Sequence, residues 1–176
     1  LKCTLPYTIY QPFVSGVGAV SDEMFFGRRK EIHDITDPNG ASIVYGGRQL
    51  GKTALLQRAE NLRFAPENGA FAVLSTIKEF HKEEQVVEHV IKDIVEKTNL
   101  PITPCASLED MCRQISSLFR QEKIASFLLL LDETDNFLES IGSVDYNPLL
   151  PLVNLKRETQ NNFKFVLAGL HNVCRA

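Results

Sequence analysis

Short apolar runs alternate along this chain with longer segments in which apolar residues recur every three or four positions. The runs predict strands buried in a sheet, and the periodic segments predict amphipathic helices. We predict strands at residues 41–45, 70–77, 127–131 and 163–168. We predict helices at 29–35, 52–62 and 83–97, another after Ser107, and one from Asn147–Pro148 to about residue 160.

This alternation predicts an α/β fold, with a parallel sheet in a three-layer α/β/α sandwich. Such sheets bind ligands at the carboxyl ends of their strands. Two polar motifs follow Tyr45 and Leu131, which are strand ends of this kind. Residues 1–24 are rich in Pro, Gly and Ser and predict an extended lead-in, whereas 25–176 predict the core of one domain.

The periodicity also assigns side chains to the core or to solvent. The inward-facing residues of the helices at 52–62 and 83–97 are predicted to be Leu55, Leu56, Ala59, Val86, Val87, Val90, Ile91, Ile94 and Val95. Ser107 is the predicted N-cap of its helix. Asp135 is expected in a solvated loop. His33, His81 and His89 form no constellation and are expected to be exposed.

A glycine-rich segment after the first strand, Gly46–Thr53, has the pattern of a P-loop. Glycines let backbone N–H groups approach phosphate oxygens, and the positive end of the following helix points at them. Lys52 is expected to reach the β- and γ-phosphates. The predicted nucleotide contacts of this motif are Gly46, Gly47, Arg48, Gln49, Leu50, Gly51, Lys52, Thr53 and Ala54.

A second motif follows the third strand, where the apolar run 128–131 ends in Asp132 and Glu133. It resembles a Walker B motif. The Thr53 hydroxyl is the predicted Mg²⁺ ligand, and Asp132 is predicted to hold the same ion through water. Glu133 is the predicted general base that polarises the attacking water. Together with Lys52 it forms the core of the predicted catalytic set.

The chain resembles the ASCE division of P-loop ATPases, near AAA+ proteins and STAND-type signalling ATPases. The residues that carry this resemblance are Phe26-Gly27-Arg28-x-x-Glu31, Gly46–Thr53, Leu128–Glu133 and Phe165–Gly169 with the residues directly after it, all within 25–172. The resemblance implies a sheet in which the fourth strand lies between the first and third, and a fifth strand lies beyond the first. It also implies ATP as substrate, since no Asn-Lys-x-Asp guanine motif occurs and a Glu follows the Walker B Asp.

The resemblance implies further site residues at both ends of the core. An aromatic-Gly-Arg stretch lies beside the base in related proteins, which assigns Phe26, Gly27 and Arg28 to the adenine site. A polar sensor near the γ-phosphate follows the fourth strand. Because Leu170 replaces the usual small polar residue, both His171 and Asn172 are candidates for that role.

Composition indicates which partners and which cellular compartment are expected for this domain. The net charge of −3 supplies no global positive field for nucleic acid or acidic membranes. Cys3, Cys105, Cys112 and Cys174 form no Cys-x-x-Cys pair, so no structural zinc site is predicted. Scattered cysteines of this kind are typical of reduced thiols in a cytoplasmic protein. The longest apolar run is far too short to span a membrane.

Three functions stay open from the sequence. The first is an Mg²⁺-dependent ATP hydrolase, the second a nucleotide-gated interaction module with little turnover, and the third an initiator-like ATPase associated with DNA. Because the chain runs from Leu1 to Ala176 without a fifth strand, we expect a piece of a larger protein that lacks the C-terminal part of the domain. We expect protein partners or self-association through the missing domains, and no membrane partner. The sequence leaves open whether DNA is a partner.

Turnover by this chain alone is expected to be slow. An arginine finger contributes about 10³–10⁵ in rate. Arg48 and Arg175 are the nearest candidates, and neither is expected to be held in catalytic geometry.

Overall fold

The structure is a computed structural model that describes residues 28–47, 50–141 and 149–170, in which four strands alternate with six helices. The strands are β1 (Ile43–Tyr45), β2 (Ala70–Thr76), β3 (Ser126–Asp132) and β4 (Phe163–Gly169). The helices are α1 (Arg29–Thr36), α2 (Lys52–Arg63), α3 (Glu83–Thr98), α4 (Leu108–Arg120), α5 (Asp135–Ile141) and α6 (Leu150–Glu158). A single 3₁₀ turn, Pro66–Asn68, precedes β2. Within these ranges no helix is long and apolar enough to cross a membrane.

All four strands are parallel and form one sheet in the order β1-β4-β3-β2. β4 therefore lies between β1 and β3, which confirms the predicted order. Tyr45 is in register with Gly169, and Thr76 with Asp132. Because the strands run the same way, their carboxyl ends share one edge of the sheet, which we call the carboxyl edge.

Helices cover both faces of the sheet, compatible with a three-layer α/β/α fold. One core cluster joins α3, α4, α5 and α6 to the face that carries Leu129 and Leu131. The other joins α1 and α2 to the face that carries Leu128 and Leu130. β3 is buried on both faces, and this explains why its sequence is a continuous apolar run rather than an alternating one.

The predicted elements agree with the structure to within a few residues at most ends. Leu55, Leu56 and Ala59 are buried, as predicted. Ser107 caps α4, since its Oγ accepts a hydrogen bond from the Asp110 N–H at 3.1 Å. Residues 147–148, the predicted start of the last helix, lie outside the described residues; the described helix begins at Leu150.

Two burial predictions were wrong. The first strand spans only 43–45, and Ile43 and Tyr45 are 41% and 67% exposed rather than buried. β1 pairs with β4 on one side and with no other described strand, so the sheet leaves it at an edge. Val95 is also exposed, because it lies beside the face of α3 that packs on the sheet.

Side chains protect the opposite edge of the sheet, along β2. The Leu74 N–H donates to Glu60 Oε1 at 2.8 Å, and Lys97 Nζ donates to the Leu74 carbonyl at 2.7 Å. Lys97 also pairs with Glu60 at 2.7 Å. Both backbone groups of Leu74 are thereby satisfied on the side where no strand pairs, which blocks edge-to-edge association at that point.

A buried lysine in β4 holds the end of α1 against the sheet. Lys164 is only 3% exposed, and its Nζ donates to the carbonyls of Asp34 at 2.9 Å and Asp37 at 2.5 Å. A cation at a helix C-terminus is favourable because the last carbonyls are unpaired. The chain turns closely here: a Cβ on Gly40 would lie 2.0 Å from the Asp34 oxygen, so only glycine fits.

Burial lowers the pKa of Lys164 to about 8. The nearby charges of Lys156 and Arg63 act in the same direction, while Asp37 and Asp34 oppose them. The folded chain therefore binds a proton at this position less tightly than the unfolded chain does.

Lys164→Met should remove a pH dependence of stability. Between pH 8 and the ordinary lysine pKa of 10.5, the unfolded chain binds more protons at this residue than the folded chain. The free energy of unfolding should therefore rise with pH across that window, by up to roughly 3 kcal/mol. Denaturant unfolding of both proteins at pH values across it measures the difference.

Lys92→Met is the matched control, because Lys92 is exposed on α3. This variant should keep the rise in stability that Lys164→Met loses. Identical pH profiles for the two variants would contradict the assignment of the proton to Lys164.

Candidate functional site

The ends of three strands meet at the carboxyl edge and bring the two predicted motifs close together. Gly46 follows β1, Asp132 ends β3, and Leu170 follows β4. β4 lies between the other two strands, so its end forms the floor between the two motifs predicted from the sequence. The structure thus brings together residues that are far apart in the chain.

The glycine segment, residues 46–53, leads from β1 into α2. Gly51 is the N-cap of α2 and has φ of +70°, a backbone conformation that strains any residue with a Cβ. Lys52 Nζ donates to the carbonyls of Gly46 at 2.8 Å and Gly47 at 2.9 Å. The Lys52 ammonium therefore lies against the start of the glycine segment. The N–H groups of the first turn of α2 lie at the same edge.

Thr53 and Asp132 connect the two motifs directly. The Thr53 hydroxyl donates to Asp132 Oδ2 at 2.6 Å, across 79 positions of sequence. Asp132 is 2% exposed, and its Oδ1 accepts from the Glu133 N–H at 2.9 Å. Both carboxylate oxygens are hydrogen-bonded, as a buried acid requires.

Glu133 has the opposite environment from its neighbour. Its side chain is exposed, and its backbone has φ of +57°, which is uncommon for a residue other than glycine. Within the described residues, no hydrogen bond is formed to the Glu133 carboxylate. The turn carries the chain from β3 into α5 at the carboxyl edge.

Arg28 lies beside the start of α2. A Cβ placed on Gly51 would lie 3.9 Å from its Nη1 atom, and the residue is half-buried. Leu50 is exposed, and Ala54 is half-buried in the first turn of α2. The other predicted site residues lie outside the described residues: Phe26, Gly27, Arg48, Gln49, His171 and Asn172.

The sequence prediction for Asp135 was wrong. Asp135 begins α5 instead of lying in a solvated loop, and both of its oxygens accept from the Leu170 N–H, at 2.9 and 2.7 Å. The missed signal was an acidic residue followed by Phe137 and Leu138, which are buried in the core. An acid at the start of a short apolar repeat is a helix-start pattern.

A second polar cluster lies at the end of β2. Buried Ser75 donates to Asp93 at 2.5 Å, and His89 Nε2 lies 3.5 Å from the same carboxylate oxygen. The His89 ring also lies against that of Phe80 in a tilted arrangement, and His89 is half-buried, contrary to the prediction that it is exposed. The carboxylate lies between the other two groups, so the histidine is not placed to take the serine proton as in a catalytic triad.

A groove of about 380 Å³ lies between α4 and α6. Residues of these two helices line it, and none comes from the glycine segment or from the end of β3. Its thiol, Cys112, is buried, and this burial raises its pKa to about 12. A thiol that stays protonated at neutral pH is a poor nucleophile, so Cys112 is not a candidate for nucleophilic chemistry.

Neither of two sequence comparisons assigns this chain to a family. A scan against protein-family models found no match, and a search of curated proteins found no similar sequence.

Thr53→Val should destabilise the protein even without any ligand. The substitution keeps the shape of the side chain but leaves Asp132 Oδ2 without its donor. Losing a hydrogen bond to a buried charged group costs about 1.5–3 kcal/mol. Thr53→Ser keeps the hydroxyl and should lose less than about 1 kcal/mol. Urea unfolding of the three proteins tests this, and equal losses for Val and Ser would show that the bond contributes nothing.

Proposed function

We propose that this chain is the ATP-binding core of a P-loop ATPase of the ASCE division, similar to AAA+ and STAND-type domains. The observation that carries the proposal is the 2.6 Å hydrogen bond between Thr53 and Asp132, with Lys52 adjacent. A hydroxyl at the start of a helix and a carboxylate at the end of a strand are the two protein groups that hold Mg²⁺ in such enzymes. The strand order, with β4 between β1 and β3, supports the same class.

The phosphates are assigned to the glycine segment. Its backbone N–H groups and the positive end of α2 form an environment that favours anions. Lys52 now donates to two carbonyls of that segment. In the complex its ammonium exchanges these carbonyls for the β- and γ-phosphate oxygens, so the loop and the substrate compete for one cation.

The donor set at Thr53 and Asp132 fits Mg²⁺. Magnesium commonly uses one or two carboxylates together with substrate phosphates and water. Among the described residues no group of three His, Cys, Asp or Glu side chains forms an all-protein cage, so the substrate supplies the remaining ligands. When bound, the ion neutralises charge on the phosphate oxygens. Asp132 is held in place for this role by its two hydrogen bonds.

Glu133 is the proposed general base. Its carboxylate is exposed at the carboxyl edge, one residue beyond the metal-binding acid, whereas Asp132 is buried. A base placed there takes a proton from water as the water attacks the γ-phosphate. An accessible acid at this position favours hydrolysis over a module that only binds nucleotide.

Arg28 is proposed to contact the nucleotide from the side. Its guanidinium lies beside Gly51, at the start of α2. This supports the assignment of the Phe26-Gly27-Arg28 stretch to the adenine side of the site. Which of His171 and Asn172 senses the γ-phosphate stays a prediction.

ATP with Mg²⁺ should raise the stability of the protein. A ligand at one hundred times its Kd adds about 2.7 kcal/mol when it binds only the folded state. Thermal unfolding with ATP, with GTP, and with neither nucleotide measures the effect. A larger shift with GTP, or none with ATP, would count against an ATP site.

Lys52→Ala and Glu133→Gln should separate binding from chemistry. Lys52→Ala removes a phosphate contact and should weaken ATP binding, whereas Glu133→Gln should leave the Kd within about threefold and lower the hydrolysis rate by about 10²–10⁴. Equilibrium binding and radiolabelled phosphate release provide the two numbers. Because turnover is expected to be slow, the rates should be taken under single-turnover conditions.

Glu139→Gln is the matched control for the second variant. Glu139 is an exposed acid on α5, so its substitution removes the same charge from the same region. It should hydrolyse ATP at the parental rate. A Glu133→Gln protein that also keeps the parental rate would refute the role of Glu133 and favour a module that only binds nucleotide.

A further inference from the structure

The turn between β3 and α5 is anchored to the end of β4 by two consecutive residues. The Thr134 N–H and hydroxyl both donate to the Ala168 carbonyl, at 2.9 and 3.1 Å. The next residue, Asp135, accepts the Leu170 N–H with both carboxylate oxygens. These bonds connect residues about 35 positions apart and fix the start of α5 relative to the carboxyl edge.

Glu133 lies between anchored residues on both sides. Asp132 precedes it and is bonded to Thr53 at 2.6 Å. Thr134 follows it and is completely buried. The exposed glutamate therefore lies in a short stretch whose neighbouring residues on each side are hydrogen-bonded to other elements.

The backbone of Glu133 needs this support. A φ of +57° is unfavourable for a residue with a Cβ. Such conformations persist only where the surrounding structure determines them. The bond from the Glu133 N–H to Asp132 Oδ1 is local to the turn, so the long-range restraint comes from Thr53 on one side and from β4 on the other.

We propose that Thr134 and Asp135 are positioning residues that hold the Glu133 carboxylate towards the reacting water. This inference rests on the proposed function, in which Glu133 is the base. Neither residue is assigned a contact with the substrate. Each acts through the turn, because loss of its bond to β4 lets the left-handed residue relax and carries the carboxylate away.

The size of the effect follows from the sensitivity of catalysis to geometry. A displacement of about 1 Å costs on the order of 10²-fold in rate. Asp135→Ala should therefore lower the single-turnover hydrolysis rate by about 10- to 100-fold. The Kd for ATP should change less than about threefold, because Lys52 and the glycine segment are untouched. Asp135→Asn keeps one carbonyl oxygen as acceptor and should recover most of the rate.

A cycle with Glu133→Gln distinguishes positioning from general loosening of the fold. If Asp135 acts through Glu133, adding Asp135→Ala to Glu133→Gln should cause no further loss of rate. Glu139→Ala removes an acid from the same helix without removing an anchor to β4, and it should behave as the parent protein. Thermal unfolding of each variant records its stability separately from its rate.

Thr134→Val provides the test if Asp135→Ala does not fold. It deletes the hydroxyl bond to Ala168, retains the N–H bond, and should lower the rate severalfold without changing the Kd. Thr134→Ser should restore the rate.

Parental rates for Asp135→Ala or for Thr134→Val would overturn the inference, as would an equal loss of rate with and without the Glu133 carboxylate. These outcomes differ from failure of the proposed function. That failure would appear in the parent protein, as no ATP binding or as hydrolysis indifferent to Glu133→Gln.

Discussion

The hydrogen bond between Thr53 and Asp132 is the constraint on which the arrangement of the site depends. β4 lies between β1 and β3, and neighbouring strands are roughly 4.8 Å apart, so the ends of β1 and β3 are separated by about 10 Å. The glycine segment must cross that gap for Thr53 to reach Asp132. Because Asp132 is buried, its carboxylate needs that donor, and the requirement fixes where α2 begins.

β4 connects the site to other elements of the fold. Every residue from 163 to 169 is buried, so the strand has no freedom to shift relative to its neighbours. One end holds α1 through Lys164, and the other holds the turn after β3 through Ala168. α1 in turn packs on α2, and the chain just before α1 brings Arg28 to the start of α2. β4, α1 and Arg28 thus all restrain the region where the glycine segment joins α2.

The sequence predicted the parts of this structure that depend on local pattern. Periodicity is visible within a window of ten or fifteen residues, and it located every described helix except α5 and most of the buried positions. The bonds of Lys164 and Asp135 span 130 and 35 positions, and no local pattern announces such partners. The exposure of Tyr45 likewise depends on the strand order, which places β1 at an edge of the sheet formed by the described strands. Lys164 was the one local feature that could have suggested such a contact, because a lysine inside an apolar strand needs hydrogen-bond acceptors in the interior.

Adjacent acids at the end of β3 acquire different environments from a single change of backbone direction. Asp132 ends the strand and stays within the sheet, where its two oxygens are satisfied. A left-handed residue then turns the chain, so that Glu133 faces solvent while Thr134 returns to the interior. An acid with both oxygens bonded is suited to hold an ion. An exposed acid whose carboxylate has no hydrogen bond within the described residues is suited to exchange protons with water. The proposed division of roles between these neighbours thus depends on the backbone conformation of Glu133, whose following residue is hydrogen-bonded to β4.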